Sequence, residues 1–143
     1  MSKARIFKLE ENQMYCISIQ EPYASYIAEG KKHYETRSRW NYKYRGTIYI
    51  HASAKIFKPQ AAETKALMSE LGGHVHPGYI IAKAELVDVV EMTEEFIEEV
   101  KKNPTEYNSG FYEAGRTALV LKNVEKITPI PAKGHLGIWE YTE

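Results

Sequence analysis

The chain has 143 residues, the usual size of one domain, and its 19 basic and 19 acidic residues give a formal net charge of zero. That balance argues against a strongly basic protein that binds nucleic acid without specificity. No apolar run is long enough to cross a bilayer, residues 1–13 lack the apolar core of a signal peptide, and a lone buried cysteine, Cys16, can form neither a disulfide nor a metal cluster. We therefore predict a single cytoplasmic domain over residues 1–143, with no cofactor, no metal and no membrane partner.

The first half of the chain predicts strands around a short helix. Alternating apolar residues indicate a strand over 14–20. Pro22 suits the first turn of a helix because it needs no amide partner there, and Gly30 ends that helix. Two further strands are predicted, over 33–37 and 46–52.

The second half predicts two more helices and three strands. A helix of about a dozen residues begins at Pro59 and ends at Gly72. Thr93 caps a strongly acidic helix, while 104–115 reads as polar and irregular. The strands are predicted over 79–92, 118–124 and 136–141.

The resulting order, β-α-β-β-α-β-α-β-β, predicts an α+β fold. It is dominated by strands, with helices at the periphery. Strands at both ends of the chain suit a small β-barrel that the terminal strands close, because closure removes exposed sheet edges.

Charge is distributed unevenly although the chain is neutral. Residues 31–58 contain eight basic residues and one acidic residue, whereas 83–99 contain seven acidic residues and one basic residue. This asymmetry predicts either one basic binding face or two solvated surfaces that partly neutralise each other.

Lys32, Glu35 and Arg37 follow the helix-ending glycine at short spacing. In an extended segment, Glu35 and Arg37 share a face. Arg37 suits bidentate contact with a phosphate, Lys32 supplies a second positive charge, and Glu35 can accept a hydrogen bond or act as a general base. The structural alternative is an ion-pair cluster at the barrel end.

Aromatic and basic residues alternate just after this motif. Trp40 precedes two tyrosines, and Arg39, Lys43 and Arg45 are interleaved with them, a pattern that suits stacking on bases and pairing with phosphates. The alternatives are that Trp40 belongs to the core and that Arg45 only solvates the barrel rim. His51 is interpreted as a hydrogen-bonded strand residue.

Several short motifs occur in a fixed order between residues 15 and 141. They are Pro22-Tyr23, Gly30, Lys32, Glu35 and Arg37, Arg45-Gly46, Ile50-His51-Ala52, Gly78-Tyr79-Ile80, Pro129-Ile130-Pro131-Ala132-Lys133-Gly134, and Leu136-Gly137-Ile138-Trp139. On these motifs the chain resembles the ASCH family, a branch of the PUA-like superfold.

The resemblance implies a PUA-like β-barrel with a cleft beside the first helix, and a role in binding RNA or another nucleic acid during RNA processing or transcription regulation. It also implies that Lys133 approaches the cleft. Some relatives hydrolyse acylated cytidine or cleave RNA. The amidohydrolase relatives carry Thr where this chain has Glu35.

The sequence thus predicts a basic cleft that binds RNA or a nucleotide-like ligand through Lys32, Glu35, Arg37, Trp40, Arg45 and Lys133. One alternative is a hydrolase of a modified nucleoside, or a ribonuclease, with Lys32 and Glu35 as its acid/base pair. A third is a protein-interaction module whose acidic helix, 94–102, meets a basic partner.

Overall fold

The computed structural model describes residues 13–56, 61–70 and 75–142. In these residues the strands are β1 (Met14–Glu21), β2 (Tyr34–Arg37), β3 (Gly46–Ile56), β4 (Tyr79–Glu91), β5 (Thr117–Pro131) and β6 (Ile138–Tyr141). The helices are α1 (Tyr23–Ala28), α2 (Ala61–Glu70), α3 (Glu94–Lys101) and α4 (Pro104–Asn108). The α+β class predicted from the sequence is confirmed.

The strands form one mixed sheet in the order β2-β5-β4-β3-β1-β6. β1 and β3 are parallel, and every other neighbouring pair is antiparallel. The terminal strands β1 and β6 pair with each other. Among the described residues, however, β2 and β6 each pair with one neighbour only, so the sheet keeps two open edges. The predicted closure by the terminal strands is therefore incomplete, and the sheet is a curled half-barrel.

Two apolar clusters hold the sheet and its helices together. The larger packs α1 against the sheet, with buried Ile17, Ile27, Ile50 and Leu119 among its members. The smaller joins α3 to the start of β5 around Met92. Burial of aliphatic side chains removes apolar area from water, which is the main favourable term in folding.

The ends of several strands agree closely with those predicted from the sequence, but the end of β5 does not. It extends to Pro131, seven residues beyond the predicted end. Its first residues pair with β2 and β4, whereas from Lys122 onward the described pairs join it to β4 alone. Proline lacks an amide hydrogen, so an edge tolerates Pro129 and Pro131.

The helices show one omission in the sequence-based prediction. The segment interpreted as irregular contains α4, which begins after Asn103, whose side chain accepts from the Glu106 amide. Thr93 caps α3 as predicted and accepts from the Phe96 amide. The predicted limits of the second helix, Pro59 and Gly72, lie outside the described residues. None of the described helices is long and apolar enough to span a membrane.

The core assignment predicts a clear contrast between two leucines. Leu119 has no exposed surface and pairs with β2 on one side and β4 on the other, whereas Leu136 is 97% exposed. We expect Leu119→Ala to lower the free energy of unfolding by about 2–5 kcal/mol, through lost burial and the cavity left behind. The matched Leu136→Ala should change it by less than about 0.5 kcal/mol. Urea unfolding of both variants measures this, and similar effects would contradict the assigned core.

Candidate functional site

The structure contains a cleft of about 700 Å³. Its walls come from the middle of β1, from β2, from the later part of β3 and from the turn 133–137 between β5 and β6. Its charged lining residues are Glu35, Arg37, Lys55 and Lys133. The cleft therefore presents three cationic side chains and one carboxylate.

Glu35 and Arg37 share one face of β2, as the period of a strand requires. The Arg37 Nε donates to Glu35 Oε2 at 2.9 Å, and its Nη2 donates to the Ser18 carbonyl of β1 at 3.0 Å. The predicted proximity of the two side chains is confirmed. Because Glu35 is mostly buried and already paired, the remaining positive charge of the cleft has no carboxylate among its lining residues.

Trp40 packs against the side chain of Arg37. The Arg37 guanidinium carbon lies 5.7 Å from the centre of the Trp40 ring, a cation–π contact. The ring also packs against Tyr42, 4.8 Å between centroids, and against the larger apolar cluster. Its Nε1 is buried with no hydrogen-bond partner among the described residues. Trp40 does not line the cleft.

Lys32 lies inside the protein, not in the cleft lining. It is 1% exposed, and its Nζ donates to the Ser109 carbonyl at 2.6 Å. Burial lowers the pKa of this ammonium, although the charges of Glu35 and Glu106 oppose the shift. Gly30, at φ +78°, reverses the chain after α1, and the Lys32 amide then bonds to the Tyr26 carbonyl. After this turn, the Lys32 side chain lies inside the protein.

Arg45 is exposed directly before β3 and does not line the cleft. Its Nη1 donates to the Tyr44 carbonyl at 3.0 Å. Of the six residues predicted from the sequence as a binding site, Glu35, Arg37 and Lys133 line the cleft, while Lys32, Trp40 and Arg45 do not.

A chain of hydrogen bonds in the cleft wall was missed by sequence reasoning. Trp139 Nε1 donates to Ser18 Oγ at 3.0 Å, Ser18 Oγ lies 3.0 Å from His51 Nδ1, and His51 Nε2 lies 2.8 Å from the Ala132 carbonyl. The prediction that His51 is a hydrogen-bonded strand residue is confirmed. Burial lowers the pKa of its imidazole.

Gly134 allows the turn 133–137 to lie directly on this wall. A Cβ at Gly134 would lie 2.7 Å from Ser18 Oγ and 2.8 Å from His51 Cε1, closer than side chains tolerate. The glycine thereby brings the neighbouring Lys133 to the cleft. A glycine after Lys133 was visible in the sequence, but its contact with strands β1 and β3 was not.

An aromatic groove of about 370 Å³ lies beside the turn 133–137. Tyr15, Tyr42, Tyr44 and Trp139 supply its rings, and Lys43 and Glu140 are its charged lining residues. Tyr42 is 45% exposed. Because Trp139 also bonds to Ser18 in the cleft wall, the groove and the cleft share a boundary.

The arrangement suits an anionic ligand with flat apolar parts. The cations of the cleft can pair with phosphate or carboxylate groups, and the groove offers ring faces for stacking. Within the described ranges, no group of three or more His, Cys, Asp or Glu residues is placed to hold a metal ion.

Comparison with known proteins relates the chain to a described domain family. The sequence model of the ASCH domain matches residues 17–131. Activating signal cointegrator 1 of Homo sapiens is 30% identical over 135 residues, and that of Mus musculus is 29% identical. The matches cover 88% of this chain but 22% of each relative, so the chain spans about a fifth of their length.

Solved structures share the fold. ASCH from Zymomonas mobilis is 21% identical, with a TM-score of 0.53 over 82% of this chain and 73% of that one. A mutant of that protein in which a serine is replaced by alanine gives a TM-score of 0.51 at the same identity and coverage. At this level of identity the likeness concerns the fold alone.

The burial of Lys32 predicts a pH dependence of stability. Because its folded-state pKa is lowered, the unfolded chain binds more protons at this residue between that pKa and about 10.4, so the free energy of unfolding rises with pH in this window. Lys32→Met removes the titrating group and should flatten this part of the rise, as measured by urea unfolding from pH 7 to 10.

The matched control is Lys101→Met. Lys101 is exposed, and its pKa is raised by a hydrogen bond to Glu98, so its removal should leave the rise in place. Parallel stability profiles for wild type and Lys32→Met would show that the buried ammonium is not the cause.

Proposed function

Because the chain belongs to the ASCH domain family, we propose that it binds single-stranded RNA in the cleft and the adjoining aromatic groove. The observation that carries this proposal is the surplus of two positive charges in the cleft lining. Its relatives are named activating signal cointegrators, and an RNA-binding domain would suit RNA processing or transcription regulation.

Arg37 is the proposed centre of phosphate binding. Two of its guanidinium nitrogens are engaged by Glu35 and the Ser18 carbonyl, so the fork is held in one orientation. Its Nη1 makes no hydrogen bond to the described residues and remains available to a phosphate oxygen. Lys133 and Lys55 then add point charges along the backbone of the strand.

The aromatic groove is the proposed site for bases. Stacking on an aromatic ring is worth roughly 1–3 kcal/mol per base and tolerates any base. Tyr42 is the exposed ring of the groove. Arg45, which bonds to the carbonyl of the groove residue Tyr44, is the proposed phosphate partner beside the groove. Trp40 acts on the ligand through Arg37, whose guanidinium lies over its ring.

The two other functions predicted from the sequence have weaker support. A hydrolase using Lys32 and Glu35 needs the ammonium in contact with substrate, yet Lys32 Nζ is buried against Ser109. An interaction through the acidic helix would use only part of its charge, because Glu98 and Glu99 are each paired with a lysine one turn on. Among the described residues, Glu94 and Glu95 form no ion pair.

Salt should weaken RNA binding in proportion to the phosphates contacted. Three cations on a single strand predict a log–log slope of affinity against salt of about −2, since each contact contributes about −0.7. Fluorescence anisotropy of a labelled oligonucleotide measures this slope. Affinity that does not change between dilute and physiological salt would rule out an electrostatic RNA site.

Single lysine variants locate the contacts. Lys133→Ala should weaken binding and reduce the magnitude of the slope by about 0.7. Lys101→Ala removes an exposed lysine of α3 outside the cleft and should change neither quantity. If both variants behave alike, the cleft is not the binding site.

Removing the one carboxylate of the cleft should not harm binding. Glu35→Gln keeps an oxygen to accept from Arg37 Nε while the surplus charge rises from two to three. We expect a modest gain in RNA affinity in the same assay. Glu125→Gln, an exposed carboxylate outside the cleft, is the control. A tenfold loss restricted to Glu35→Gln would mean that Glu35 itself accepts a hydrogen bond from the ligand.

A further inference from the structure

Ser18 and His51 face the cleft from neighbouring strands, β1 and β3, where they are paired in register. Their polar atoms, Oγ and Nδ1, are 3.0 Å apart. A hydroxyl within hydrogen-bond reach of an imidazole, with a third group orienting that imidazole, is the geometry of an activated nucleophile.

The direction of each hydrogen bond follows from the end groups. The Ala132 carbonyl can only accept, so His51 Nε2 carries a hydrogen. In the neutral ring Nδ1 is then the acceptor, and the Ser18 hydroxyl donates to it. Trp139 Nε1 can only donate, so it uses one lone pair of Ser18 Oγ. The other lone pair of that oxygen stays free.

Burial lowers the pKa of His51, so the imidazole is neutral, and able to take a proton, at neutral pH. His135, on the turn 133–137, acts in the same direction. The charged groups that line the same cleft are Glu35, Arg37, Lys55 and Lys133. The orienting carbonyl of Ala132 holds the ring in this tautomer, as an amide oxygen does in Cys-His-Asn sites.

The surroundings supply charge for a substrate. Ser18 and His51 line the cleft, and Gly134 packs directly against both, because any Cβ there would collide with them. Arg37 bonds to the backbone carbonyl of Ser18, which places a cation beside the hydroxyl. A positive charge at this position stabilises the oxyanion that forms when an acyl carbon is attacked.

We propose that Ser18 and His51 form a nucleophile–base pair that removes the acyl group from a carboxylic ester bound in the cleft. The cations of the lining favour an ester whose alcohol portion carries a phosphate. This activity goes beyond the proposed RNA binding: it shares the cations of the cleft lining and adds the Ser18–His51 pair.

The reaction balances with water as the one co-reactant. Ser18 Oγ bonds to the acyl carbon as its proton passes to His51 Nδ1, and the carbon–oxygen bond to the alcohol breaks as that proton reaches the departing oxygen. Water then attacks the acyl-serine and gives a proton to His51 Nδ1. Ser18 Oγ leaves with that proton, so the carboxylic acid is released and both residues are restored.

A fluorophosphonate probe tests the pair because it reacts with activated serine hydroxyls by losing fluoride. We expect one label per chain, on the peptide that contains Ser18, and hydrolysis of p-nitrophenyl acetate above the buffer rate. Ser18→Ala should abolish both. His51→Gln should slow both by about 10²–10⁴-fold, the usual range for a lost general base. Ser53→Ala, another serine of the same cleft, should change neither.

The wild-type pH profile keeps the test decisive if a variant does not fold. Labelling should rise as His51 loses its proton and reach its plateau at a lower pH than a free imidazole, because its pKa is lowered. Labels spread over several serines, labelling that survives Ser18→Ala, or a rate that follows hydroxide without a plateau would each overturn the proposal. RNA anisotropy on the same samples is a separate readout, so intact RNA binding with an unreactive Ser18 would reject the esterase alone.

Discussion

The contact between Arg37 and the Ser18 carbonyl links two strands that do not neighbour each other in the sheet. β2 and β1 have three strands between them in the sheet order, and the curl of the sheet brings them within reach of one side chain. No ladder of backbone hydrogen bonds joins β1 to β2 in the described sheet, and the Arg37 guanidinium connects them instead. Because the bridge also holds Glu35 and the backbone beside the Ser18 hydroxyl, this contact fixes part of the shape of the cleft.

Buried polar groups anchor the segments around this bridge. Glu106 of α4 is almost fully buried and accepts from the amides of His33 and Tyr34, where the chain enters β2. Glu21, at the end of β1, accepts from the amide and hydroxyl of Ser25 in α1. A buried carboxylate is costly unless several donors surround it. These two residues meet that condition, and in doing so they set where β2 begins and where α1 lies.

The cleft combines groups that suit two kinds of chemistry. Its cations and the aromatic groove suit a phosphate backbone and flat bases, whereas the bonds among Ser18, His51 and Trp139 orient a hydroxyl and a neutral imidazole. The two sets share the turn 133–137, which packs closely on the wall because Gly134 has no side chain. Substitution of Gly134 should therefore affect both the cationic lining and the bonds among Ser18, His51 and Trp139.

The sequence by itself determined the local features. Alternating apolar residues marked most strands, Thr93 marked the start of α3, and the spacing of Glu35 and Arg37 placed both on one face of β2. The sequence also sufficed to identify the family, since the ordered motifs lie largely within residues 17–131, which the ASCH domain model matches. These features depend on periodicity and on backbone preferences that act within a few residues.

Tertiary structure alone decided which side chains share the cleft. The partners of the Ser18 network lie 33 and 121 residues away in sequence, and no local pattern brings them together. The burial of Lys32 could not be predicted from the sequence either. Lys32 lies two residues after a glycine that reverses the chain, but its burial depends on the distant carbonyl of Ser109. The physical reason is that the curl of the sheet and the packing of α4 set these distances, and both arise from contacts spread over the whole chain.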